Sequence, residues 1–218
     1  WNEGPNCIFR RSNVWHVWDL DIDLPQLDTL RRIIPIPRAH TFDEDYYMRG
    51  VETGVSNYSN YHWMPEITRL LAQRIMLYLN MGINDTIFDF GCARGFLVKA
   101  FREAGRLAFG CDISTWAITN CDPDVTEFVS VADAPKDDYD WIIAKDVFEH
   151  IPMPALENTL RILMARALKG LFVIVPLTAE DGGAYVRPDD NLDATHVIRW
   201  TLPTWMKFFR QIDPGFVV

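Results

Sequence analysis

Between residues 89 and 95 the chain reads Asp-Phe-Gly-Cys-Ala-Arg-Gly, an acid followed by small residues at 91, 93 and 95. Small side chains two apart let a ligand approach the backbone closely. A helix opening after them adds amide donors and the positive end of its dipole. The dinucleotide fingerprint is different, because three steps part its last two small residues. A tight strand-to-helix turn that holds no ligand is the other reading of the same stretch. Further on, His150 and His196 are the side chains suited to proton transfer near neutral pH. Each can equally be a structural histidine that pins its own loop. Lys145, Asp146 and Glu149 are weaker candidates for the same work. Asp181, Asp189 and Asp190 read as a solvated acidic loop rather than as ion ligands. The four cysteines form no C-x-x-C pair and there is no histidine cluster at zinc spacing, so no metal is expected.

These residues need a scaffold, and the apolar pattern supplies one. An apolar strand over residues 86–91 runs into the small-residue turn. A helix follows with Phe96, Leu97, Ala100, Phe101 and Ala104 on it, stopped at Gly105. Strand, turn and helix make half of a βαβ unit, and in open α/β sheets ligands sit outside the carboxyl ends of such strands. Before it, Met64 to Asn80 reads as an amphipathic helix with Pro65 in its first turn. After it, the strand Leu107 to Cys111 ends at Asp112, placed either to accept from ribose hydroxyls or to cap the next helix. Beside the small-residue turn the ribose reading is the stronger.

Val125 to Val131 reads as a third strand, followed by Asp133-Ala134. The buried strand Trp141 to Ala144 delivers Lys145, Asp146 and Val147 to the crevice. A helix over Ala155 to Ala167 is ended by Lys169-Gly170, and Leu171 to Val175 is apolar on both faces, as a central parallel strand should be. The loop Leu177 to Ala194 is polar, with too little apolar content to be core. A helix carrying Trp205, Phe208 and Phe209 leads to a sixth strand that begins at Gly215.

Several of these stretches, in order, resemble class I S-adenosylmethionine-dependent methyltransferases. They are Asp89-x-Gly91-x-Ala93-x-Gly95, the aromatic segment YYMRGVETGVSNYSNYHW, AKDVFEHIP after the fourth strand, and His196 to Pro203. The likeness is nearest to small-molecule and sugar methyltransferases. It implies a Rossmann-like three-layer α/β/α sandwich with a mostly parallel sheet, and S-adenosyl-L-methionine as cofactor. By this resemblance Tyr47, Arg49 and Gly50 face the methionine end, with Arg49 suited to its carboxylate. Asp89, Gly91, Cys92, Ala93 and Gly95 form the first motif, and Asp112 and Ile113 hold the sugar. Asp133 and Ala134 lie at the adenine, while Lys145, Asp146 and Val147 complete the pocket. His150, His196 and Asp146 are then the candidates for the chemical step.

The implied reaction moves a methyl group to a small-molecule or carbohydrate acceptor, with a hydroxyl oxygen of a glycan as the expected site. An amine, a quinone-like ring or a protein side chain stays open as acceptor. So does a non-catalytic, methyltransferase-like binding domain of a larger protein. The chain has 218 residues, 49% of them hydrophobic, and a formal charge of −9. That charge argues against a nucleic-acid surface. No apolar run is long enough to span a membrane, and unpaired cysteines suit a reducing, cytoplasmic setting. Residues 1–45, with Trp1, Trp15, Trp18 and several prolines, read as an extension or the end of a preceding domain. Residues 46–218 read as the methyltransferase domain. After the sixth strand a seventh has no counterpart. It is missing or supplied by another segment, with Val14 to Trp18 a candidate, in keeping with a piece of a larger multidomain chain.

Overall fold

The computed structural model describes residues 7–10 and 41–217. Its centre is a seven-stranded sheet in the order β4-β3-β2-β5-β6-β1-β7. The strands are β1 (Cys7–Arg10), β2 (Thr86–Phe90), β3 (Leu107–Asp112), β4 (Val129–Val131), β5 (Tyr139–Lys145), β6 (Ala167–Ile174) and β7 (Phe216–Val217). The five from β4 to β6 run parallel to one another.

Alternation along the central strands builds two separate cores. Ile87, Trp141 and Ile143 face one side, where they meet Ala72 and Ile75 of helix α3 (Pro65–Tyr78), Leu79 at its C-cap, and Val98 and Phe101 of α4 (Phe96–Glu103). Phe88, Phe90, Ile142 and Ala144 face the other. There they meet Leu156, Leu160 and Leu163 of α6 (Met153–Arg166) and Trp205 and Phe209 of α7 (Leu202–Ile212). Because both faces are covered, these strands are apolar throughout rather than alternately polar. The three layers are those of a Rossmann-like α/β/α sandwich, as the resemblance implies.

The far edge of the sheet is finished from the other end of the chain. Strand β1 lies antiparallel between β6 and β7, with Ile8 opposite Val173 and Phe9 opposite both Phe172 and Val217. The segment Val14 to Trp18 lies outside the described residues. Cys7–Arg10 occupies the place for which it was a candidate.

Two boundaries differ from the sequence reading. The third strand begins only at Val129, because Pro123 to Val125 form a 3-10 turn in which the Asp122 side chain accepts from the amide of Asp124. Proline brings no backbone donor to a ladder, and the aspartate rewards the turn instead. Lys169 and Gly170 do not end a helix. Helix α6 stops at Arg166 and the chain passes directly into β6, which opens at Ala167 opposite Tyr139. Lys169 is held at the start of the sheet by ion pairs to Asp85 and Asp140.

Over the carboxyl ends of the strands lies the aromatic segment, folded as α1 (Glu44–Met48) and α2 (Gly50–Thr53). The side chain of Asp43 caps α1 by accepting from the Tyr46 amide at 3.2 Å. Phe42, Tyr46 and Tyr47 are buried there with Ala117 of α5 (Thr115–Thr119).

Candidate active site

Strand β2 ends in a turn that only small residues fit. Gly91, Ala93 and Gly95 all adopt positive φ, at 78°, 48° and 76°. A Cβ on Gly91 would lie 2.4 Å from Val147 Cγ2, so the loop after β5 closes directly onto this turn. Alanine in the left-handed region costs roughly 1–2 kcal/mol. Its amide is tied down in return, donating to Asp112 Oδ2 at 2.8 Å. The other oxygen of Asp112 accepts from Ser114 N at 2.8 Å, and it is Ser114 whose side chain caps α5. Burial raises the Asp112 carboxyl, and the amides of Ser114, Ala93 and Ile113 work against that rise.

Asp89, at the end of β2, is 3% exposed and receives no hydrogen bond from the described residues. Burial pushes its pKa up to about 7, with Lys145 opposing and Asp112 adding to the rise. An acid at this depth without a donor is costly unless a ligand supplies one. Across the cleft, Lys145 pairs with Asp146. Burial pulls the Lys145 ammonium down, but Asp146, Tyr58 and Glu149 outweigh it and hold it well above the usual lysine range. Asp146 itself has φ 52°, and its amide donates to the Ile174 carbonyl at 2.9 Å. Backbone held in this region concentrates at functional sites.

The roof is aromatic. Tyr47 stacks on Trp116 at 5.4 Å between ring centres, and Tyr61 lies 5.2 Å from Phe96. Tyr46 donates its hydroxyl to Asp193 Oδ2 at 2.8 Å. Burial raises the Tyr46, Tyr47 and Tyr61 phenols, and Tyr58 stands at about 12, so all four stay neutral at pH 7. Arg94 braces the roof from behind, donating to the Tyr61 carbonyl at 2.8 Å. The cleft beneath opens to solvent and encloses about 1070 Å³ of empty space including its mouth.

At the inner corner two histidines meet. The rings of His150 and His196 are 4.6 Å apart, edge to face. His150 Nδ1 lies 2.8 Å from Thr195 Oγ1, which donates its own proton to Asp193 Oδ1 at 2.5 Å. His150 therefore carries its proton on Nδ1 and leaves Nε2 open. Burial, then His196, pulls His150 down to about 4, and burial lowers His196 as well. Between them sits Glu149, fully buried, with neither carboxylate oxygen in a hydrogen bond among the described residues.

Twelve of the residues expected from the sequence line this cleft: Tyr47, Asp89, Gly91, Cys92, Ala93, Asp112, Ile113, Asp133, Lys145, Asp146, Val147 and His150. Five do not. Arg49 is exposed and pairs with Asp45, one helical turn back, so it points away from the cleft. Gly50 is buried under Ser56, whose Oγ would sit 1.8 Å from a Cβ there. Gly95 faces Val125 and serves the start of α4. Ala134 stands one residue beyond the lining, and His196 stands behind His150. Tyr46, Tyr58 and Tyr61 line the cleft although the sequence marks them only as aromatic density. Asp193 and Thr195 carry no local motif at all.

Residues 58–212 match the family described as Methyltransferase domain. No curated protein matches. Among solved structures, a SAM-dependent methyltransferase from Archaeoglobus fulgidus is 18% identical with a TM-score of 0.54, over 69% of each chain. A methyltransferase in complex with the Trm112 activator of Haloferax volcanii is 20% identical with a TM-score of 0.51, over 68% of this chain and 70% of that one. Magnesium protoporphyrin IX methyltransferase from Synechocystis PCC 6803 is 21% identical with a TM-score of 0.40, over 45% of this chain and 54% of its own. The chain thus spans about half the length of that enzyme. With the family match covering most of its residues and the same layered sheet around a cleft at the strand ends, this chain belongs to the methyltransferase-domain family, the class I S-adenosylmethionine-dependent methyltransferases.

Proposed function

We propose that this domain transfers a methyl group from S-adenosylmethionine to an oxygen of a small polar acceptor, with a sugar hydroxyl as first choice. The observation that carries the reading is Asp89, a buried acid whose carboxyl has no donor among the described residues, set beside the Gly91 and Ala93 backbone in the cleft that also holds His150. The residues fit the cofactor. Asp89 suits its ammonium, Asp112 its ribose hydroxyls, and Asp133 the amino group of its base. Bound there, the sulfonium supplies an activated methyl group.

The protein's part is placement and exclusion of water. The four tyrosines cover the cleft with phenols that donate and do not ionise, and their faces suit stacking on a pyranose. His150 is unprotonated at neutral pH and presents Nε2, so it can accept the hydrogen bond of an acceptor hydroxyl and hold its oxygen in line. Asp146 and His150 make up the edge at which that oxygen loses its proton, with His196 packed behind His150. No helix among the described residues is long and apolar enough to cross a membrane. Cys92, Cys111 and Cys121 are free thiols, which suits the cytoplasm as the place of action.

The test pairs calorimetry with S-adenosylhomocysteine and turnover of labelled cofactor on a panel of sugar, phenol and amine acceptors. Binding together with transfer to hydroxyl acceptors is expected. Transfer confined to amines moves the chemistry to nitrogen, and absence of homocysteine-analogue binding ends the reading.

A further inference from the structure

At and behind the edge of the cleft, Glu149, His150 and His196 form a cluster of their own. We propose that they form a binding site for a divalent first-row transition ion, with one Glu149 oxygen and the two imidazoles as ligands. The residues come from two segments clamped together by backbone. The Glu149 carbonyl accepts from the amides of Val197 at 2.8 Å and Ile198 at 3.0 Å, which brings the loop carrying His196 against the turn carrying Glu149 and His150. One candidate ligand atom from each residue falls within 4.8 Å of the others.

The distances have the span of a coordination shell and are too long for a hydrogen-bonded cluster. Glu149 Oε1 is 3.9 Å from His150 Nε2 and 3.9 Å from His196 Nε2. None of these contacts is a hydrogen bond. Ligands held at about 2.0–2.2 Å from a shared tetrahedral ion lie roughly 3.4 Å apart, so a contraction of about half an ångström would close the shell.

Independent of spacing, both Glu149 oxygens are buried without a partner among the described residues, and so is His196 Nδ1. A carboxylate at zero exposure with two idle oxygens is what a cation satisfies. The outer contacts also have the form that ligating histidines show. His150 Nδ1 is engaged by Thr195, and Thr195 by Asp193, which fixes the ring and frees Nε2. Asp193 Oδ2, 3.8 Å from His196 Nε2 and holding the Tyr46 hydroxyl, adds negative charge behind the site.

Two imidazoles and one carboxylate suit zinc, manganese, cobalt or iron better than magnesium or calcium, which favour oxygen throughout. Three ligands leave coordination positions open, and His150 borders the cleft. Given the methyl-transfer reading, on which this last step rests, the acceptor would be an oxygen chelator such as a vicinal diol. With the ion bound, His150 Nε2 would hold the metal in place of the acceptor's hydrogen bond, and the ion would favour loss of the hydroxyl proton.

The experiment strips the full chain with a chelator, titrates it with Co²⁺ and follows d–d absorption, with zinc competition and metal content by mass spectrometry alongside. One ion per chain is expected. Glu149→Gln and His196→Ala should weaken it more than tenfold, and Thr195→Val about tenfold through the His150 ring. S-adenosylhomocysteine affinity, measured without metal, reports whether each variant folds and judges the methyltransferase reading separately. No cobalt spectrum from the parent protein overturns the site. So does a spectrum that Glu149→Gln and His196→Ala, both folded, leave unchanged.

Discussion

The Asp112 carboxylate accepts the backbone N–H of Ala93 at 2.8 Å, so the tip of β3 holds the turn that follows β2 in its left-handed shape. The same carboxylate faces the cleft, and one group therefore both shapes the floor and offers acceptors to a ligand. Asp112→Asn keeps the size but turns an amide N–H₂ toward one of its two backbone donors. S-adenosylhomocysteine affinity should fall about 10–100-fold, the worth of one hydrogen bond to a charged group. Calorimetry showing less than a twofold change would remove Asp112 from the ligand's grip.

Asp89 makes stability depend on pH in an unusual direction. Its pKa is near 4 in the unfolded chain and about 7 in the fold, so between these values the native state binds more protons. Stability is full below the lower value and is lost as pH rises toward the higher one. From pH 5 to pH 8 the ligand-free protein should lose about 2–3 kcal/mol through this residue. Asp89→Asn should flatten that part of the curve in urea titrations. Parallel curves for the two proteins would show that the carboxyl is ordinary.

Gly91 and Val147 form a steric pair across the site. Gly91→Ala combines a left-handed alanine with a Cβ 2.4 Å from Val147 Cγ2, for a loss of about 2–4 kcal/mol. Adding Val147→Ala should recover the overlap and leave the backbone share. Strict additivity of the two losses would contradict direct contact.

At the other end of the sheet, the sign is reversed. Asp85 accepts from Trp141 Nε1 at 2.8 Å and from the Gly82 amide at 2.9 Å, and it pairs with Lys169. Burial pushes its pKa up, but Lys169, Trp141 and Gly82 outweigh that and leave it below the usual carboxylate range. Its stabilisation holds through neutral pH and is lost only on acidification through that lowered value. Trp141→Phe, which keeps the ring packing, should cost about 1.5–3 kcal/mol at pH 7 and much less in strong acid. Equal losses at both pH values would assign the effect to packing.

The parallel strands were legible because their signal is local. Trp141 to Ala144 is a continuous apolar run between polar ends, and Gly105 stops α4 with φ 75°. The cleft's floor was legible for the same reason, since Asp89, Gly91, Ala93 and Asp112 sit at strand tips. What escaped is what depends on rotation or distance. Arg49 lies two residues from Tyr47 in sequence, yet the rotation of the helical turn sends it to solvent while Tyr47 goes inward. Glu149 and His196 meet only because a backbone clamp folds one loop onto another. Four residues at 7–10, one of them charged, carry too little pattern to announce a strand.

That strand also governs the order of assembly. Cys7–Arg10 is made before any of its partners, which lie near residues 172 and 217. It must stay unpaired until those segments have been made, and the strand pairing of Phe216–Val217 can form only after it is in place. These pairings join segments far apart in the sequence, and such long loop closures are slow. Sealing of that border should limit the rate at which the molecule matures, long after the floor of the cleft has taken shape.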